Sequence, residues 1–128
     1  YTAPLVNPDL KEVLAEKLWK KNHLKVEPNR NILITPGSDS GLFYAILPFI
    51  EEKDEVIIPT PSYPNNILDI EIMGGKCVFV ELQKENGYQL EYETLKRAVT
   101  DRTKMIVLTH PNNPTTTVYL WKHCQKSA

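Results

Sequence analysis

Three short segments of this 128-residue sequence gather the residue types that do chemistry. The first reads Pro36-Gly37-Ser38-Asp39-Ser40-Gly41. Its small side chains leave backbone N–H groups uncovered where a helix is expected to begin, and those groups with the helix dipole favour a phosphate. It matches neither the Gly-Lys-Ser/Thr phosphate loop nor the G-x-G-x-x-G dinucleotide pattern. Asp39 suits an anion poorly, so its carboxylate is expected to turn away. Plain helix capping by Ser38 accounts for the same residues. The second segment, Pro59-Thr60-Pro61-Ser62-Tyr63-Pro64, places an aromatic ring after an apolar run. Tyr63 could stack on a flat ligand, a contact worth about 0.5–1.5 kcal/mol, or simply cover the end of a sheet. The third is His110-Pro111-Asn112-Asn113-Pro114-Thr115-Thr116. Proline cannot extend a strand ladder, so the two amides are pinned outside it. An amide N–H there could donate to a phenolate oxygen, or serve an ordinary hydrogen-bonded turn.

Other reactive residue types carry less. His110 has no carboxylate or nucleophile at a recognisable spacing, and reads as a hydrogen-bonded bystander. His23 reads as surface. His123-Cys124 lacks a second pair of ligands for zinc, so no metal site is expected. Asp69 and Glu71 form a helix face without the opposed geometry of a glycosidase pair.

These segments need elements to hold them. Residues after Pro8 read as a helix: Asn7 can cap it, Pro8 suits its first turn, and Asp9 and Glu12 favour its positive end. Leu10, Val13, Leu14 and Leu18 share one face, with Lys11, Glu12, Lys17 and Lys21 mostly elsewhere. Residues 31–35, Asn-Ile-Leu-Ile-Thr, predict a strand ending at Pro36-Gly37. A helical apolar run over 42–50 follows. Glu55-Val56-Ile57-Ile58 predicts a second strand, closed by Pro59. A helix over 64–73 stops at Gly74-Gly75. A third strand is expected over 76–82, with Cys77, Phe79 and Glu81 facing one way and Val78, Val80 and Leu82 the other. Residues 91–99 predict a short helix with Leu95 and Val99 inward, and 104–109 a fourth strand. Alternating strands and helices, with strands apolar on both faces, predict an α/β fold: a mainly parallel sheet with helices on both faces. In such sheets ligands sit at the carboxyl ends of the strands, where all three segments fall.

Composition bounds the function. The chain is 41% hydrophobic and 24% charged, an ordinary globular balance with length for one core. A net charge of -1 argues against a nucleic-acid partner. The apolar run 42–50 falls short of the ~20 residues that cross a bilayer, so no membrane role is expected. Two cysteines make no disulfide framework, which points to the cytoplasm. The opening Tyr1-Thr2-Ala3-Pro4 has neither Met nor a signal pattern, and is read as not the natural start of translation.

Taken together, the segments resemble the fold-type I, pyridoxal-phosphate-dependent class I/II aminotransferases, in particular the first portion of their large domain. The resemblance covers residues 1–119, with 120–128 an atypical tail. Its parts come in the family's order: Tyr1 and Pro8-Asp9-Leu10; Ile34-Thr35-Pro36-Gly37-Ser38 before Gly41-Leu42; residues 54–63, Asp-Glu-Val-Ile-Ile-Pro-Thr-Pro-Ser-Tyr; and Pro111-Asn112-Asn113-Pro114-Thr115, similar to the family's Pro-Asn-Asn-Pro-Thr-Gly.

The resemblance implies pyridoxal phosphate as cofactor. Ser38, Asp39 and Ser40 match the turn that holds its phosphate, Tyr63 the aromatic stacked on its ring, and Asn113 the donor to its phenolic oxygen. Tyr1 matches a tyrosine that reaches the phosphate in the neighbouring subunit of a homodimer. The implied reaction moves an amino group between an amino acid and a 2-oxo acid; related lyases and decarboxylases share the cradle. Thr116 stands where the family has Gly, so the loop is expected to do without an easy positive φ, and Asn7 replaces a common Gly. The family's Schiff-base lysine, the Asp at the ring nitrogen and the Arg for the substrate carboxylate come later than Ala128. The stretch is therefore expected to be inactive alone, marginally stable or self-associating, and no catalytic residue is assigned within it. A non-catalytic α/β module binding phosphate or a protein, or a nonfunctional gene fragment, remain alternatives.

Overall fold

The structure, a computed structural model, describes residues 8–120. It divides between Gly41 and Leu42 into two compact units. Tyr1, Asn7 and residues 121–128 lie outside the described residues.

In the first unit, α1 runs Pro8–Asn22, with proline in its first turn, Asp9 at the positive end and Lys20 and Lys21 at the negative end. A single turn, α2, spans Pro28–Asn31. The expected apolar face of α1 is only partly buried: Leu14 and Leu18 are half-buried, whereas Leu10 is 42% and Val13 61% exposed and Lys11 is buried. Among the described residues of this unit α1 packs on the short α2, which offers no sheet to cover an apolar stripe. The strand expected over 31–35 does not form either. Asn31 closes α2, residues 32–36 have no regular structure, and Leu33 is 71% exposed. A β-branched run becomes a strand only when a neighbour takes up its backbone groups, and no described strand lies beside it. The helix α3, Ser38–Ile46, bridges the unit boundary.

The second unit is a parallel sheet. β1 is Glu55–Thr60, α4 is Pro64–Ile72, β2 is Lys76–Glu81, α5 is Tyr92–Ala98 and β3 is Thr103–Ile106. The strand order is β2-β1-β3, with β1 central and parallel to both neighbours. Parallel neighbours require crossovers, which α4 and α5 supply. Alternation along β1 divides the core between its faces. Val56 and Ile58 pack with Ile46, Ile50 and Ile70, against α3 and α4. Ile57 packs with Val80, Leu82 and Leu90, and Leu95 of α5 lies against them. The expected facing of β2 holds, since Cys77 joins the first cluster and Val78, Val80 and Leu82 the second. Val99 does not point inward: it ends α5 in an extended conformation and is 52% exposed.

Proline 59 does not end β1, although proline lacks the N–H a central strand needs. Glu55 N donates to Arg102 O, and Ile57 O accepts from Val107 N, so odd positions of β1 face β3. The β3 ladder stops opposite Ile57. The missing N–H of Pro59 therefore faces past the end of that ladder. Gly75, between α4 and β2, is required by space. A Cβ there would lie 2.8 Å from Ile50 Cγ2 and 2.9 Å from Ile70 Cγ2.

The amino ends of the three strands are tied by one buried carboxylate. Glu55 accepts from Thr100 Oγ1 at 2.7 Å, Arg102 Nη2 at 2.9 Å and Lys76 Nζ at 3.1 Å. The Thr100 hydrogen bond, then the Lys76 hydrogen bond and the nearby positive charges, hold its pKa down to about 2, against the opposing pull of burial. This cluster lies at the end of the strands opposite the tips, where it ties β1 to β2 and to the residues that lead into β3.

Candidate functional site

In the first unit, Gly37 at φ +97 turns the chain into α3, and the first helical bond runs from Gly41 N to Gly37 O. Ser38 is thus already inside the helix, and the capping position falls to Gly37. Thr35 Oγ1 donates to Gly37 O at 2.8 Å, and Ser40 Oγ to Pro36 O at 3.4 Å. The Ser40 hydroxyl proton is engaged there, so an anion at this turn would meet chiefly the backbone N–H groups of Ser38, Asp39 and Ser40. Backbone N–H groups in the first turn of a helix point toward such an anion.

In the second unit, the tip of β1 leads to Tyr63, which precedes α4 in an extended conformation. Pro64 and Asn66 begin that helix, with Asn66 N donating to Tyr63 O. The Tyr63 ring is half-buried, and its hydroxyl accepts from Asn65 Nδ2 at 3.2 Å. Beyond β3, Val107 still bonds to β1, and the chain enters the loop of residues 110–117. Mutual backbone bonds close that loop: Thr116 N to Asn112 O at 2.7 Å and Asn112 N to Thr117 O at 2.8 Å.

The two adjacent amides separate cleanly. Asn112 is buried, donating to Thr115 Oγ1 at 2.7 Å and to Pro61 O at 3.1 Å. Asn113 is exposed. The loops of Tyr63 and Asn113 are therefore in direct contact through Asn112, and the outward amide is the one matched to a ligand. His110 is hydrogen-bonded, as expected: Nδ1 accepts from Tyr119 N at 3.4 Å, and its ring lies 5.8 Å from that of Tyr119. Among the described residues no cluster of His, Cys, Asp and Glu could hold a metal ion, and no helix is long and apolar enough to cross a membrane.

Thr116 departs from the expectation for its position. It adopts the positive φ that Gly would take, at +57. The loop closure at Asn112 imposes that conformation, and a β-branched residue bears it. A cavity of about 900 Å³ opens beside the tips of β1 and β2, lined by Thr60, Pro61, Phe79, Glu81, Lys84 and Tyr88 among others. Neither Tyr63 nor Asn113 lines it. Sequence reasoning missed Asn66 and the Glu55 cluster; a lone acid opening an apolar strand was the available signal for the latter.

Known proteins resemble this chain. The family model "Aminotransferase class I and II" matches residues 1–126. The chain is 40% identical over 121 residues to the probable aspartate/prephenate aminotransferase of Aquifex aeolicus, covering 94% of this chain and 30% of that protein. It is 39% identical over 122 residues to the aspartate/prephenate aminotransferase of Thermus thermophilus, covering 93% of this chain and 31% of that one. The aromatic aminotransferase of Pyrococcus horikoshii superposes with a TM-score of 0.89 at 30% identity, over 98% of this chain and 34% of its own. The chain thus spans about a third of the length of these relatives. A family match along nearly the whole sequence, on an α/β unit with the matching loops at its strand tips, means that the chain belongs to the class I and II aminotransferases.

Proposed function

We propose that this chain supplies part of the pyridoxal phosphate cradle of an aminotransferase that moves an amino group between an amino acid and a 2-oxo acid. The observation that carries the reading is the split between the two amides: Asn112 is buried in the Tyr63 loop, and Asn113 is left facing outward beside it. The donors of the second unit suit the ring of the group: Asn113 offers an N–H to a phenolic oxygen and Tyr63 a half-buried ring to a flat heterocycle. In the first unit, taken by itself, the first turn of α3 offers N–H groups of the kind that suit a phosphate.

When bound, the coenzyme supplies an electron sink for the amino acid's reacting carbon. The residues of this chain bind and orient it. Tyr63 fixes the plane of the ring, and Asn113 draws charge from the oxygen on it. Ser38, Asp39 and Ser40 belong to the phosphate end of the same reading, and Tyr1 to the phosphate of the neighbouring subunit in a homodimer. The reading assigns no proton-shuttling base within this stretch, and the stretch alone is proposed to bind without turning over.

Titration with pyridoxamine 5′-phosphate, which has no aldehyde to react with surface lysines, tests the reading by absorbance and tyrosine fluorescence. Tyr63→Ala is expected to remove about 0.5–1.5 kcal/mol of binding. Asn113→Ala is expected to remove about 1.5–3 kcal/mol if the oxygen it meets is charged. Saturable binding that neither substitution weakens would refute the assignment, and inorganic phosphate competing fully would reduce the site to a phosphate-binding turn.

A further inference from the structure

Two side-chain amides are buried among the described residues, and both lie where the Tyr63 and Asn113 loops meet: Asn66 at 2% exposure and Asn112 at 4%. Burying an amide is unfavourable unless its polar atoms find partners. Each directs its Nδ2 group at both loops. Asn66 donates to Ser62 Oγ at 3.1 Å on its own side and to Thr109 Oγ1 at 3.3 Å across the gap. Asn112 donates to Thr115 Oγ1 at 2.7 Å on its own side and to Pro61 O at 3.1 Å across it. The ties run in opposite directions, one from each loop, and they bracket the residues that matter. Ser62 precedes Tyr63, and Asn112 precedes Asn113. The fastening continues outward, since Thr115 Oγ1 donates to Thr117 Oγ1 at 2.9 Å and Thr117 Oγ1 to Gly87 O at 3.2 Å.

We propose that Asn66 and Asn112 are positioning residues that fasten the two strand-tip loops together and fix the spacing at which Tyr63 and Asn113 meet a planar, anionic ligand. This rests on the cradle reading for the ligand but not for the fastening. Neither amide touches the ligand, and Asn113 keeps its place because its neighbour is held on both sides. The two ties differ in chemistry. Pro61 O can only accept, so the tie from Asn112 needs an N–H. Ser62 and Thr109 carry hydroxyls that rotate to donate, so a carboxylate at position 66 keeps its tie. That carboxylate would sit in the first turn of α4, where the helix dipole favours it.

The test uses the full 128-residue chain. Backbone amide NMR spectra of Asn112→Ala, Asn66→Ala, Asn66→Asp and the mild, isosteric Thr109→Val are compared with wild type without ligand. Asn112→Ala and Asn66→Ala are each expected to move resonances in both loops, 61–66 and 109–117. Thr109→Val should do so without loss of the fold, and Asn66→Asp should restore the wild-type pattern in the opposite loop. Pyridoxamine 5′-phosphate affinity should fall about tenfold in the two alanine variants, and recover in Asn66→Asp. Shifts confined to the mutated loop, or cross-loop shifts with unchanged affinity, would overturn the inference. Absence of binding by wild type would refute the cradle instead, leaving the cross-loop shifts to decide the fastening.

Discussion

Replacing Thr116 by glycine should stabilise this protein, against the usual direction for a glycine substitution. Thr116 sits at φ +57, in the left-handed region. Side-chain crowding there costs an L-residue about 1–2 kcal/mol, and a β-branched residue is a true outlier in it. Its side chain is exposed, and the bond it gives the loop, Thr116 N to Asn112 O at 2.7 Å, is one any non-proline residue supplies. Glycine removes the crowding but adds freedom to the unfolded chain, worth about 0.5–1 kcal/mol in the other direction. The net expectation is a gain of about 0.7 kcal/mol, the middle of a range of about 0–1.5, and a rise of about 3–6 °C in melting temperature for a unit of this size. Thr116→Ala removes the branch but keeps a Cβ at positive φ, so its gain should be smaller. Urea titration followed by circular dichroism reads both variants against wild type. A Thr116→Gly protein that unfolds at or below the wild-type midpoint would refute the strain argument, and with it the view that loop closure imposes the conformation.

The Glu55 cluster predicts an acid dependence. The folded carboxyl has its pKa near 2, below its ordinary 4.5, so its contribution to stability is complete above about 4.5 and is lost as pH falls from there toward 2. Glu55→Gln should flatten the stability profile in that window, and an unchanged slope would show that the cluster is not the cause. Gly75→Ala should destabilise by about 1–3 kcal/mol through overpacking against Ile50 and Ile70; a neutral result in denaturant titration would mean that the core there yields. The outer edge of β3 has no partner among the described residues, and Ile106 and Leu108 beside it are 39% and 49% exposed. Sedimentation should show concentration-dependent association that Leu108→Lys reduces, and a monodisperse monomer at high concentration would contradict it.

Much of this architecture was legible locally. The parallel α/β arrangement followed from alternating apolar runs, and the two faces of β2 followed from period-two spacing, because a fully buried central strand must be apolar on both sides. The chemistry-bearing loops were legible from clustered proline and glycine, which mark turns, although Pro59 shows that a single proline does not fix where a strand stops. The motifs also identified the family, since four elements in order constrain more than any one.

Tertiary structure alone decided the rest. Residues 31–35 have the composition of a strand, yet composition cannot supply the neighbour that makes one. The stripe on α1 has helical spacing, yet Leu14 and Leu18 are half-buried while Leu10 and Val13 stay exposed. Pro59 stays inside a central strand because its N–H side faces past the end of a ladder, a matter of register between chain segments. Asn112 and Asn113 are identical in type and adjacent in sequence. Only the position of Pro61 O, some fifty residues away along the chain, makes one a fastening and leaves the other facing outward. Local sequence sets which conformations are cheap; burial and hydrogen-bond partners are relations between distant segments, and they exist only once the chain has folded.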